Sequence, residues 1–396
     1  MPVILAFSCI YLTILYKNNI IVEIEYPLQI IIFFGYFFRH SINPEVFYIR
    51  KFSKLSVVLG IVMLLSSCQA QAKDAAFSDE TFLMDTVVTQ TVYGKNGEKI
   101  VNDAVILMKN IENTYSSYMS DSITAKINEN AGISPISVSS EELNIIKRCV
   151  EFSAQSDGLF DLTVAPLVKL WNITGDSPKV PSDEEIAKAQ TLIDYRDVVI
   201  DEDDDTVYLS RPNMQLDFGA TVKGYAVQKV LELYRQSGIS GGILSLGGNV
   251  AAFGEKPDGS PFRIGIRDPQ KTASDYFAVL ELNDKVIATS GAYERYFEQD
   301  GKIYHHILNP KTGYPCESDL LSVTVISEDG LLCDFLSTLF YMQGRDAVIN
   351  HLDESSYSLI ALDQDGKIYI SPRLQEYFTL LDSSPYAFAD QTGRED

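Results

Sequence analysis

The 396 residues are 46% hydrophobic and 22% charged, which is enough apolar material for one large domain or two closely packed ones and excludes a disordered, collagenous or miniprotein chain. With 32 basic against 54 acidic residues the formal net charge is −22, so the body repels polyanions and no nucleic-acid partner is expected. Five cysteines (Cys9, Cys68, Cys149, Cys316, Cys333) show no CxxC or zinc spacing and are too scattered to frame a disulfide scaffold.

The stretch 11–49 is rich in Ile, Phe, Tyr and Asn without helical or alternating order, and residues 1–49 read as upstream sequence translated from a wrongly assigned start. The competing reading, a membrane segment around 28–38, is short and interrupted for a span. Arg50, Lys51 and Lys54 then precede an apolar run over 55–65 and Ser66-Ser67-Cys68. This predicts a lipoprotein signal peptide over 50–68, with the Cys68 thiol taking diacylglycerol. Eleven apolar residues do not cross ~30 Å of hydrocarbon. The expected location is the cell membrane, lipid-anchored, facing the periplasm or cell exterior. Residues 69–80, small and polar, predict a tether to a globular body over 81–396.

In that body the β-branched alternation over 82–93 predicts one strand, with Asn96-Gly97 as a turn. A helix capped by Asp103 follows, carrying Val105, Met108, Ile111 and Tyr115. A second helix over 141–155 stops at Ser156-Asp157-Gly158, and Ser182 with Glu185 forms a capping box for a third. Strands at 198–200 and 206–209 flank an acidic turn, 201–205, that lacks the ligand pattern and glycine of a calcium loop. Beyond 240 the expected strands are 243–246, 262–267, 277–282, 286–289, 302–307, 321–326 and 357–362, with one helix near 330–342. Interspersed rather than alternating helices predict an α+β fold, a layered, mixed and largely antiparallel sheet with packed helices.

Several segments have the composition of a site. Met214 to Phe218 alternates as a strand and runs into a helix with Val222, Ala226 and Val230 on one face. Gly219 lets the chain turn and would aim free N–H groups at an anion, with Asp217 at the strand end and Lys223 in the first helical turn. A helix start with a surface lysine explains this piece equally well, since neither GxGxxG nor GxxxxGK[ST] is present. The glycine pair closing 243–249 suits close approach to a ligand or an ordinary turn. Residues 288–296 set hydroxyls, a glycine and an arginine together. His305 and His306, two of only four histidines, precede Asn-Pro and Thr-Gly turns, where a side chain of near-neutral pKa suits a general base or a structural role. Asp334 and Thr338, i and i+4 on one helix face, are hard oxygen ligands suited to Mg²⁺; a threonine bonded back to its own helix is the alternative.

Together these segments resemble the ApbE family of FAD:protein FMN transferases. The matching pieces, in order, are Met84-Asp-Thr86, the 115–122 segment, Gly158-Leu-Phe-Asp through Val168 with Leu170-Trp171, Asp217-Phe-Gly-Ala-Thr-Val-Lys-Gly224, Ser245-Leu-Gly-Gly-Asn249, Thr289-Ser-Gly291, His306-Ile-Leu-Asn-Pro-Lys-Thr-Gly313, and Asp334 with Ser337-Thr338. The resemblance implies splitting of FAD at its pyrophosphate, attachment of FMN to a threonine hydroxyl of an acceptor flavoprotein, and release of AMP. By similarity, Met84, Tyr118, Leu159, Phe160, Asp161, Asp217, Lys223 and Leu308 contact FAD, the Ala220 carbonyl with Asp334 and Thr338 holds Mg²⁺, and His306 is the base.

Two departures stand out. Asp85 occupies a position where the family usually has glycine, and Thr221-Val222 replaces Ile-Ala. A carbonyl ligand survives any change of side chain, so the metal set is less affected than the flavin contact. Two rival readings share much of this chemistry: a metal-dependent FAD pyrophosphatase, with water in the acceptor's place, and a flavin-binding lipoprotein without transfer activity.

Overall fold

The structure, a computed structural model, describes residues 9–16, 20–27, 75–272 and 275–389. The chain divides into a unit over 1–68 and a unit over 69–396. In the first, Cys9–Tyr16 pairs antiparallel with Ile20–Pro27, a regular hairpin that corrects the expectation of no alternating order, since Val22-Glu-Ile-Glu-Tyr26 alternates apolar and acidic residues. The segment 50–68 expected to be a signal peptide, including Cys68, lies outside the described residues.

The second unit is built on a nine-stranded sheet. From one edge its order is Ala76–Leu83, Thr86–Tyr93, Gly241–Leu246, Asn249–Gly254, Lys285–Ser290, Leu320–Ser327, Ser358–Asp363, Lys367–Ile370 and Ala387–Phe388. Every neighbouring pair is antiparallel except the last. The central strands are apolar on both faces, and alternation sorts their side chains. Leu359 and Ala361 join the main core, which also takes in the helices Gly97–Tyr115, Val222–Ser237 and Gly330–Gln343. Ile360 and Leu362 face a second core, shared with a three-stranded sheet of Phe262–Arg267, Tyr276–Leu282 and Phe378–Leu380. Strands buried on both sides are what such unbroken apolar runs encode. The expected largely antiparallel α+β layering is therefore the observed one.

A third, smaller cluster gathers Leu167, Trp171, Ile186, Ala189 and Leu308. Trp171, fully buried, donates its indole N–H to the Gly313 carbonyl at 2.8 Å and packs on Tyr304 and Tyr314. This ties the 306–313 loop to the helix Ala165–Trp171.

Local departures from expectation have local causes. The strand expected over 82–93 is a hairpin, broken at Met84 and Asp85, which both take left-handed φ values of 52° and 57°. Its outer strand begins at Ala76, so residues 76–80, expected in the tether, are the edge of the sheet. Asn96, also left-handed, starts the next helix at Gly97, and Asp103 lies inside that helix, 2.5 Å from Lys99 one turn earlier, instead of capping it. The capping box of Ser182 and Glu185 opens Asp183–Gln190 as expected. The alternation over 214–218 reports burial correctly, with Met214, Leu216 and Phe218 all buried, but the segment makes only one bridge, Gln215 to Val164. The Asn128 side chain takes the place of a neighbouring strand, accepting the Leu216 N–H at 2.6 Å and donating to its carbonyl at 3.1 Å.

Candidate active site

A cavity of about 520 Å³ opens where the Met84 turn, the end of the helix Gly97–Tyr115, the 217–223 segment, the His306 loop and one face of the helix Gly330–Gln343 meet. It is lined by all twelve residues expected there: Met84, Tyr118, Leu159, Phe160, Asp161, Asp217, Ala220, Lys223, His306, Leu308, Asp334 and Thr338. They come from segments up to 254 positions apart, and the fold alone brings them together.

Asp334 is buried at 5% exposure. Its Oδ2 accepts the Gly224 N–H at 2.9 Å and its Oδ1 accepts the Asn249 amide at 3.2 Å. Both donors are neutral, and among the described residues no cationic side chain pairs with it. A buried carboxylate without a counter-charge is costly unless a cation arrives. The Gly224 N–H, directed to Asp334, does not close the helical turn onto the Ala220 carbonyl, and Ala220 is one of the cavity-lining residues. Thr338 bonds to Ser290 at 3.1 Å, and no hydrogen bond back to its own helix is seen, so the alternative of a back-bonded threonine is overturned. One carboxylate, one hydroxyl and one carbonyl form a hard-oxygen set that fits Mg²⁺. Among the described residues there is no group of three or more His, Cys, Asp or Glu side chains arranged for a metal.

The two histidines have different roles. His305 is fully engaged: Nε2 meets the Cys316 carbonyl at 2.9 Å and Nδ1 accepts the Ile307 N–H at 3.3 Å. His306 uses only Nδ1, 3.2 Å from the Arg295 carbonyl, and its own backbone N–H donates to the same oxygen at 3.0 Å. Because a carbonyl only accepts, Nδ1 carries the proton and Nε2 keeps its lone pair. The near-neutral pKa expected for His306 is corrected: burial first, and the Lys223 charge next, push it down to about 3. The imidazole is neutral throughout the physiological range.

The other expected contacts divide into groups already engaged and groups left open. Asp161 is occupied, accepting from the Thr163 N–H and hydroxyl with one oxygen and from the Tyr195 N–H with the other. Burial raises its pKa. Asp217 accepts the Gly219 N–H at 2.7 Å, so the free N–H expected of that glycine is absent. Lys223 reaches only the Gly219 carbonyl at 2.8 Å, and no described carboxylate pairs with it. Tyr118, at 67% exposure, stands at the mouth and offers an aromatic face.

Four cavity residues have roles that the sequence reading did not assign. Glu112 accepts the Met84 N–H at 2.9 Å and holds the left-handed turn. Arg295 donates to the Asp85 carbonyl at 3.1 Å, while its own carbonyl orients His306. Asn249 and Ser290 support Asp334 and Thr338. Each lies in or beside a segment singled out by sequence, but its partner is distant in the chain, and no local pattern announces it.

The family model described as the ApbE family matches residues 84–362. The chain belongs to the ApbE family. Its relatives include proteins named FAD:protein FMN transferase from Klebsiella pneumoniae (strain 342), 34% identical with 78% of this chain and 95% of that protein covered, and from Treponema pallidum (strain Nichols), 31% identical with 74% and 86% covered. Among solved structures, the ApbE protein of Thermotoga maritima superposes with a TM-score of 0.71 at 31% identity, covering 76% of this chain and 99% of that one. The flavinyl transferase ApbE of Pseudomonas stutzeri gives 0.66 at 29%, covering 77% and 97%. The ApbE match begins at the cavity-lining turn, Met84, and contains every site residue named above.

Proposed function

We propose that this ApbE-family enzyme transfers the FMN half of FAD to a threonine hydroxyl of an acceptor protein and releases AMP. In that reaction the threonine oxygen attacks the FMN phosphorus, the bond from that phosphorus to the bridging oxygen breaks, AMP leaves with the oxygen, and the hydroxyl proton passes to His306. One observation carries the reading: His306 has its Nδ1 proton fixed on the Arg295 carbonyl and its Nε2 lone pair free, in the same cavity as Lys223, Asp334 and Thr338. That tautomer is the one a general base needs.

The unpaired Lys223 ammonium suits the pyrophosphate, and Met84, Tyr118, Leu159, Phe160 and Leu308 supply apolar and aromatic surface for the flavin. Ala220, Asp334 and Thr338 would hold Mg²⁺, which when bound neutralises charge on phosphate oxygens. A lipid at Cys68, on the cell membrane facing the periplasm or exterior, would hold the enzyme beside acceptors on the same surface.

The test is incubation with FAD, Mg²⁺ and a candidate acceptor, scored for flavin fluorescence retained on the denatured acceptor and for AMP. AMP and free FMN without labelled protein would mean that water takes the acceptor's place. Neither product, with FAD still bound, would mean a binding protein.

A further inference from the structure

Thr338, Ser290 and Ser337 form a short chain of hydroxyls whose protons can be placed one at a time. Ser337 Oγ lies 3.0 Å from the Asp334 main-chain carbonyl, to which it can only donate. Its single proton is thereby used, so toward Ser290 Oγ, 2.8 Å away, Ser337 can only accept. Ser290 has then given its own proton and can only accept from Thr338 Oγ1 at 3.1 Å. The Thr338 proton therefore points at Ser290. What Thr338 presents to the cavity it lines is a lone pair.

We propose that Ser290, in the Thr289-Ser-Gly291 motif to which no role had been attached, is a positioning residue: by taking the Thr338 proton it makes that hydroxyl a pure acceptor toward a divalent cation. The inference rests on the metal reading above. It adds that the ligand's proton is parked by a relay ending on the main chain of the same helix, Gly330–Gln343, that carries both ligand side chains. Without Ser290, the Thr338 hydroxyl is free to turn its proton into the cavity, where it opposes a cation. Partners behind metal ligands commonly contribute ~10- to 100-fold in affinity.

The experiment is Mn²⁺ titration followed by electron paramagnetic resonance on the folded protein without FAD, with the signal lost in Asp334→Ala defining the site. Ser290→Ala is expected to weaken that site by about 10-fold or more, and Ser290→Thr, which keeps the hydroxyl, to restore it. Ser337→Ala provides an independent arm should Ser290→Ala fail to fold. Ser337 does not line the cavity, yet removing it frees the Ser290 proton to turn toward Thr338, so affinity should fall here too. Wild-type affinity in folded Ser290→Ala or in Ser337→Ala would overturn the proposal while leaving the metal reading intact. An absence of any Asp334-dependent signal in the wild type would overturn both.

Discussion

The Gly224 N–H donates to Oδ2 of Asp334 at 2.9 Å, so the first turn of one helix holds the carboxylate carried by another. This is possible only because the helices touch backbone to backbone. A Cβ on Gly224 would stand 2.0 Å from the Gly330 carbonyl oxygen, and one on Gly330 would stand 2.1 Å from that of Gly224. Gly224→Ala gains ~1 kcal/mol of helix preference, but the obstacle is backbone and no rotamer relieves it. Overpacking of this kind costs about 1–3 kcal/mol. A lower melting temperature is therefore expected, together with a higher Mg²⁺ requirement for transfer.

Asp334→Ala should abolish both AMP release and flavin transfer, while FAD still binds through its flavin and adenosine ends. Asp334→Asn keeps the shape and can still accept the Gly224 N–H, while it provides no negative charge and needs the Asn249 amide to turn over and accept where it now donates. Flavin fluorescence titration alongside product assay checks the pair. Full turnover of either variant at limiting Mg²⁺ would remove Asp334 from the metal set.

His306→Asn should slow transfer by roughly 10²–10⁴-fold with little change in FAD affinity. The pH profile follows from a folded-state pKa of about 3. On the proposed role the neutral form is the base, so kcat/KM should stay level from neutral pH to near pH 5, about two units above that value, and fall only below it. In the FAD complex the pyrophosphate's negative charge raises the pKa, so the fall in kcat sits at higher pH. A fall in kcat/KM centred near pH 6.5 would contradict the lowered pKa of this imidazole. Stability has the same sign: between about 6.5 and 3 the unfolded chain takes up a proton that the folded one refuses, so acidification destabilises.

Asp85→Gly should stabilise the protein slightly, by up to about 1 kcal/mol, because Asp85 sits at a φ of 57°, which glycine adopts freely. A β-branched residue there should destabilise it. The Asp85 carbonyl that receives Arg295 belongs to the backbone and survives both changes. Thermal unfolding of Asp85→Gly and Asp85→Val gives the ordering directly.

Cys68→Ala should accumulate as an unprocessed, non-lipidated precursor if the basic cluster, apolar run and Leu-Ser-Ser-Cys sequence are a lipoprotein signal. Metabolic labelling with a fatty-acid analogue and the mass of the mature N-terminus check this. Normal maturation of the variant would refute the assignment.

Much of this architecture could be read from residue pattern. The strand expected over 357–362 is present as Ser358–Asp363, and the Ser182 box announced a helix start. Pattern failed where a residue's conformation departs from its neighbours' trend. Met84 and Asp85 interrupt a β-branched run without a glycine to mark the turn. Over 214–218 alternation shows which side chains are buried but not who receives the backbone hydrogen bonds, and here an asparagine side chain does. The site residues came through family motifs. Their supports, Glu112, Asn249, Ser290 and Arg295, depend on pairings between distant segments that one-dimensional spacing cannot encode.

Trp171 is the chain's one tryptophan, and it is sealed in the same small cluster as Leu308 of the cavity wall. Its ultraviolet emission therefore comes from a single site, with no second indole to dilute the signal. A flavin absorbs where an indole emits, so an isoalloxazine seated against Leu308 should quench that emission by energy transfer. The enzyme thus carries its own optical reporter, able to time substrate arrival in a stopped-flow instrument without a label.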